Sequence, residues 1–236
     1  MLLHIPHSRT LMPIQYKSLP DLHLARHTDW FTDDLFMIEG AEHFVFPYSR
    51  FYADMERLAN DPLEAQGMGI FYTQTPWGVT YRDKILPEYE DVMKLHQKWH
   101  ENLKHATEQQ LKDNGYAVLV DCHSFSHHQV TQPESELPDI NIGTNAVGTS
   151  SALVELITHG FESQGYSVAV DRPYQYAIAP IVDDAFETVM IEINKRCYLT
   201  EDFQRSGNYS DTKQAIQRVM KLLLAYEQDH RGYQYL

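Results

Sequence analysis

The chain has 236 residues, 43% of them hydrophobic, which is enough for a sizeable core and excludes a disordered polypeptide. Its 19 basic and 33 acidic residues give a formal net charge of -14. That argues against a nucleic-acid partner, although a few local arginines can still reverse the field in a cleft and hold a small anion.

Two cysteines, Cys122 and Cys197, are too few for a disulfide framework or a cysteine-rich zinc site. No stretch approaches the roughly 20 apolar residues of a membrane span. The opening MLLHIPHSRT lacks a signal-peptide pattern, so the expected compartment is the cytoplasm, with no membrane partner. No repeat, low-complexity tract or linker divides the chain, and a single domain over 1–236 is expected.

In chain order, 2–6 (LLHIP) reads as a short strand ending at His7. Turn signals at Pro13 and Pro20 mark a mixed stretch. The aromatic run 43–48 reads as a strand leading to Ser49 and Arg50. Residues 50–84 carry Asn60, Asp61, Pro62, Gly67, Gly69 and Pro76, and read as irregular. The clearest helix covers 87–113, with Pro87 in its first turn and a stop at Asn114-Gly115. Tyr116–Asp121 is a continuous apolar run too short for a helix, hence a buried strand. A helix over 149–163, strands at 166–170 and 187–194, and a closing amphipathic helix from about Asp211 to His230 complete the pattern. Strands alternating with helices predict an α/β fold: a mostly parallel, mixed sheet with helices on both faces. In such sheets ligands bind beyond the carboxyl ends of the strands.

Polar residues suited to a metal hydrolase collect at those ends. The first strand delivers His7 and Ser8. The strand at 116–121 delivers Asp121, Cys122, His123 and Ser124. The strand at 187–194 holds Glu192 between Ile191 and Ile193. A catalytic zinc takes three ligands from His, Asp or Glu, keeps one position open, lowers the pKa of a water to about 7 and polarises a carbonyl. His7 and His123 supply two ligands. The third, a carboxylate, is left open among Asp29, Asp33 and Asp34. Glu192 becomes the proton carrier, since a carboxylate in an apolar strand costs several kcal/mol to bury unpaired and needs either a function or a structural arginine beside it.

Arg50, Arg57 and the pair Tyr81-Arg82 offer forks for a substrate carboxylate, or surface ion pairs with Asp54 and Glu56. His127 is a candidate substrate contact. His96 and His100, one helical turn apart, read as surface or packing residues. Tyr174 and Tyr176 read as packing, Cys122 as buried and inert, and Asp139 as a loop-fixing or supporting acid.

Taken in order, IPHS (5–8), HTDWFTDDL (27–35), SRFYADMER (49–57), Trp77-Gly78 with Tyr81-Arg82, VDCHS (120–124), LPDINIGT (137–144) and EINKRCYLTED (192–202) resemble the N-formylglutamate amidohydrolase family. The resemblance implies a phosphorylase/hydrolase-like α/β fold akin to the zinc carboxypeptidases and aspartoacylase-like deacylases. It also implies one zinc ion, or another divalent metal, and hydrolysis of a small anionic N-acyl amino acid. The typical reaction is N-formyl-L-glutamate to L-glutamate and formate in histidine degradation.

On this sequence the resemblance implies His7, Asp29 and His123 as metal ligands and Glu192 as general base. It implies Arg57 on the substrate's α-carboxylate, and Arg50 on the oxyanion or a second carboxylate. The chain departs from the family in two places. It has Asp54-Met55-Glu56-Arg57 where the family usually has Asp-Leu-Asn-Arg, and 172–177 lacks the family's glycines. Those departures leave two alternatives open: the same chemistry on another N-acyl amino acid or small peptide, or a binding protein without turnover.

Overall fold

Short runs of Val, Ile and Leu alternate with helices along the chain. In the computed structural model, which describes residues 1–59, 61–182 and 186–231, they assemble into one six-stranded sheet. The elements are β1 (Leu2–Ile5), α1 (Asp21–His27), α2 (Thr32–Leu35), β2 (Glu42–Val45), α3 (Leu86–Asn114), β3 (Val118–Phe125), β4 (Ile140–Gly143), α4 (Ser151–Glu162), β5 (Val168–Val170), β6 (Glu187–Asn194) and α5 (Tyr209–His230).

The strand order is β2-β1-β3-β6-β4-β5. The first four are mutually parallel. β4 runs antiparallel to β6, and β5 is parallel to β4. The mostly parallel, mixed sheet expected from the sequence is the one found. No helix of the described residues is long and apolar enough to cross a membrane.

Helix α3 stops where the sequence stops it: Gly115 takes φ 72°, open to glycine without strain, and its N–H caps Leu111 O. Ser150 caps α4 by accepting from Leu153 N at 3.1 Å.

Three differences from the sequence reading bear on function. Strand β3 continues past Asp121 to Phe125, because β6 pairs with it throughout, His123 opposite Glu192 and Phe125 opposite Asn194. Ile140–Gly143, read only as part of a motif, is a strand: four residues carry too little periodicity to declare themselves alone. The mixed stretch after β1 contains α1 and α2, too short for a helical stripe. Asn60, used above as a turn signal, lies outside the described residues.

Period-two alternation divides the sheet into unlike faces. One face is apolar: Leu3, Ile5, Val118, Val120, Cys122, Ile140, Ile142, Val189, Ile191 and Ile193 pack with residues of α4 and α5 such as Leu153, Ile157, Ile216 and Val219. The other begins apolar, with Leu2 and Leu119 against Leu103 of α3. It then turns polar, with His4, Asp121, His123, Glu192 and Asn141 all buried. Register aligns this polar row. His4 lies opposite Asp121, His123 opposite Glu192, and Glu192 opposite Asn141.

Candidate active site

The polar row opens into a cavity of about 280 Å³ whose wall includes Asp29, Arg50, Glu56, Arg57, His123 and Glu192. His7 stands just past the end of β1, 1% exposed, and its carbonyl accepts from Asp29 N at 3.0 Å. That backbone bond carries Asp29, 1% exposed, to the strand ends.

The two histidines are oriented from behind. Asp54 Oδ1 accepts from His7 Nε2 at 2.8 Å, and Asp121 Oδ1 accepts from His123 Nε2 at 2.8 Å. Arg50 holds Asp54 Oδ2 through Nη2 at 2.9 Å and Nε at 3.2 Å. Asp121 Oδ1 also accepts from His4 Nδ1 at 2.8 Å, and Trp99 Nε1 donates to His4 Nε2 at 3.0 Å. Since indole only donates, the His4 tautomer is fixed.

With both Nε2 atoms engaged as donors, the two Nδ1 atoms turn toward each other, 3.3 Å apart. Asp29 Oδ2 lies 3.3 Å from His123 Nδ1 and 3.7 Å from His7 Nδ1. Three acceptor atoms therefore converge in a buried place. Asp29 Oδ1 is buried with no hydrogen-bond partner among the described residues. Lys195 Nζ approaches it only to 3.5 Å.

Ionisation agrees with this geometry. Burial alone would raise Asp29, but His123, His7 and Lys195 hold its carboxyl well below the usual range. Burial would lower His123, but the carboxylates of Asp121, Glu56 and Asp29 outweigh it and push the imidazole well up. The cluster favours positive charge at its centre. Its donor set, two imidazoles and a carboxylate with carboxylates behind both rings, fits a zinc-like divalent cation. Asp33 and Asp34, the other sequence candidates, point elsewhere: Asp33 pairs with Arg9 at 2.6 Å and Asp34 with Lys213 at 2.6 Å.

Glu192 is 7% exposed on the cavity wall. Its polar neighbour is Asn141, whose Nδ2 donates to Oε2 at 3.4 Å, rather than an arginine. Burial first, then the charges of Glu56 and Asp29, push its pKa up to about 8 against the opposing pull of His123.

Glu56 stands over the site, Oε2 3.2 Å from Arg50 Nη2 and 3.9 Å from His7 Nδ1. Burial would raise its carboxyl, but the charges of His123, Arg57, His7 and Arg50 bring it down. Arg57 reaches Tyr72 Oη at 3.3 Å and leaves its Nε without a hydrogen-bond partner among the described residues.

The structure brings His7, Asp29, His123, Glu192, Arg50 and Arg57 together. It does not bring Tyr81, Arg82 or His127 to the cavity. Tyr81 Oη donates to Phe51 O at 2.6 Å. Arg82 lies over the Phe71 ring and donates to Tyr72 O, to Tyr52 O at 2.9 Å, to Tyr16 Oη at 2.7 Å and to Glu88 at 2.8 Å, so its guanidinium is engaged in tying loops to the start of α3. His127 is half-buried at a separate small hollow beside Glu134, 3.5 Å away.

Several residues escaped the sequence reading. Tyr174, taken as packing, lines the cavity. Asp121 and Asp54 were visible but without a role; their two-residue spacing from His123 and from Glu56 was the available signal. Lys195 and Gln129 gave none. Asp139 fixes loops, accepting from Ser167 N at 2.9 Å and Arg196 Nη2 at 2.9 Å.

A model of the N-formylglutamate amidohydrolase family matches residues 1–199. The N-formylglutamate deformylase of Pseudomonas putida is 28% identical over 229 residues, 89% of this chain and 84% of that protein. That of Pseudomonas aeruginosa is 29% identical over 158 residues, 62% of this chain and 59% of that protein. The crystal structure of N-formylglutamate amidohydrolase from Ralstonia eutropha JMP134 has a TM-score of 0.81 at 18% identity, covering 97% of this chain and 94% of that one. A gene product of Agrobacterium tumefaciens reaches 0.71 at 19% identity, covering 96% and 91%. At such identities these two structures speak to the fold.

Proposed function

The chain belongs to the N-formylglutamate amidohydrolase family and is a hydrolase acting on an amide, and on that premise we propose that it hydrolyses N-formyl-L-glutamate to L-glutamate and formate at the His7–Asp29–His123 site, with a divalent cation, zinc first among them. The observation that carries this reading is the convergence of three acceptor atoms from His7, Asp29 and His123 beside the buried carboxyl of Glu192, whose partner is Asn141 and which has no salt bridge among the described residues.

When bound there, such a cation supplies Lewis acidity toward the formyl carbonyl and a lowered pKa for a neighbouring water. The protein's own residues do the rest. Asp54 and Asp121 hold both imidazoles with their Nδ1 lone pairs inward. Glu192, as carboxylate, takes the proton from the attacking water and, as acid, returns it to the departing amine nitrogen. Without a cation its pKa is pushed up to about 8, which suits the acid role, and a bound cation would draw it down toward the base role. Arg57, on the cavity wall with an Nε that has no hydrogen-bond partner among the described residues and only Asp54 Oδ2 at 3.8 Å, binds the substrate's α-carboxylate. Arg50, clamped between Asp54 and Glu56, lends positive charge near the reacting carbonyl.

Glu56 favours a second reading on specificity. Its carboxylate occupies an Arg50 donor that a second substrate carboxylate would otherwise take. It also adds negative charge to the wall, favouring an N-formyl amino acid with an uncharged side chain over the glutamate derivative. One experiment addresses both: metal analysis of the purified protein, then amine release from a panel of N-formyl and N-acetyl amino acids. About one equivalent of divalent metal and turnover of N-formylglutamate above the panel is the expected result. Preference for N-formylglutamine selects the second reading. Absence of both metal and turnover sinks the proposal.

A further inference from the structure

His27 is the last residue of α1 and is 7% exposed, its ring forming part of the cavity wall. Its ring packs near Phe51, Tyr72 and Trp77, with centroids 5.4, 6.0 and 6.0 Å away. One ring nitrogen has a partner: Nδ1 lies 3.0 Å from Gln129 Nε2.

The orientation of that amide is set on its other side. Gln129 Oε1 accepts from Ser126 N at 3.1 Å, Ser126 Oγ at 3.3 Å and Lys195 Nζ at 3.5 Å. Three donors on Oε1 leave the amide NH2 to face His27, so Nδ1 must accept and the ring hydrogen must sit on Nε2. That Nε2 is buried with no hydrogen-bond partner among the described residues. Buried donors are rarely left unmatched without a reason, and this one belongs to a ring lining a cavity with room for a ligand.

We propose that His27 is a specificity-determining residue for this reaction, its Nε2–H hydrogen-bonding an oxygen at the end of the substrate's amino-acid side chain. This rests on the reading of the site as an N-formyl amino acid hydrolase. Two features of the wall select that oxygen. The guanidinium groups of Arg50 and Arg57 are the cationic partners for carboxylates. Beside His27 the wall carries Leu63, Met68 and Tyr72, whose apolar surface suits the methylenes of a side chain and leaves its terminal oxygen to meet the neutral Nε2–H of His27. A neutral N–H donates to a carboxylate or a carboxamide oxygen alike and rejects a side chain that ends in a methyl group. A site built around such a donor discriminates against the analogue lacking the acceptor, because the donor is then left unpaired.

The test compares kcat and KM of wild type, His27→Phe and Gln129→Glu on N-formyl derivatives of glutamate, glutamine and norleucine. His27→Phe keeps the aromatic plate and removes the donor. Gln129→Glu leaves the ring in place, still accepts from Ser126 and Lys195, and moves the His27 hydrogen to Nδ1. The preference for the glutamine over the norleucine derivative should fall about tenfold in both variants, the value of one hydrogen bond, and should be carried by KM. Imidazole 15N–1H correlations of the wild type should place the hydrogen on Nε2. Equal losses on all three substrates, an unchanged preference in Gln129→Glu, or a hydrogen on Nδ1 in the wild type would overturn the assignment while leaving the hydrolase reading intact. A wild type that cleaves none of the three would remove that reading and this inference with it.

Discussion

The two faces of the sheet are made by the same strands and differ almost completely in chemistry. Along β3, Val118, Val120 and Cys122 point to one side, while Leu119, Asp121 and His123 point to the other. Along β6, Val189, Ile191 and Ile193 stand back to back with Glu192. The apolar face derives its stability from non-directional burial, roughly 25 cal/mol per Å². The polar face must instead satisfy each buried group by name: His4 with Trp99 and Asp121, His7 with Asp54, His123 with Asp121. A rigid apolar underside lets three strands, β1, β3 and β6, hold His7, His123 and Glu192 at fixed spacing. The comparison therefore predicts a separation: damage to one face should appear in chemistry, damage to the other in stability.

The largest effect should come from Glu192. Glu192→Gln keeps the shape and the contact with Asn141 but removes the proton carrier. Turnover should fall about 10²- to 10⁴-fold, with bound metal and melting temperature close to wild type. Wild-type turnover in this variant would reject the role. Next is the opposite face. Ile157 of α4 is fully buried in the apolar cluster. Ile157→Ala should cost about 2–5 kcal/mol in denaturant unfolding, with KM and metal affinity unmoved. A changed KM would show that the faces are coupled after all. Smaller still is the support behind the ligands. Asp121→Asn removes the charge that orients both His123 and His4. It should weaken metal binding about 10- to 100-fold in a chelator competition; an unaltered affinity would remove Asp121 from the site.

Much of this division was legible in the sequence. A continuous apolar run marked β3 and placed Asp121 and His123 at its end, and Glu192 was conspicuous within β6 because a charge in an apolar strand is costly. The rule that sites lie beyond parallel strand ends then connected His7 to them. What stayed hidden depended on distance in three dimensions. Nothing in the sequence separates Arg57, which reaches the cavity, from Arg82, which is enclosed by Tyr72 O, Tyr52 O and Glu88. Nothing near Lys195 announces Asp29, and nothing near Gln129 announces His27. Asp29 stood out from Asp33 and Asp34 only by resemblance, whereas the backbone bond from Asp29 N to His7 O makes the choice physical.

The smallest effect sharpens the comparison where α3 covers the polar face. His96 Nε2 donates to Arg57 O at 2.7 Å and His100 Nε2 donates to Met55 O at 3.0 Å, their rings 4.2 Å apart. These two histidines, which the sequence reading treated as bystanders, grip the backbone on either side of Glu56. Burial first, then the neighbouring His96 and His4, push His100 down to about 3, and burial lowers His96 as well. The folded pKa of each lies below the unfolded value of about 6.5. Their contribution is thus fully present above pH 6.5 and is lost as pH falls, because the unfolded chain takes up protons that the folded one refuses. Each histidine adds at most about 1.4 kcal/mol per pH unit, less after solvent screening.

His100→Gln keeps an N–H for Met55 O but does not titrate, so between pH 7 and 5 its stability should decline less steeply than that of wild type. The comparison has to be the difference between the two proteins. In metal-free protein Glu192, with its raised pKa, gains relative stability as pH falls through the same window, opposite in sign to the histidines. Parallel stability curves for wild type and His100→Gln would mean that His100 is solvated and takes up its proton as readily in the folded chain as in the unfolded one.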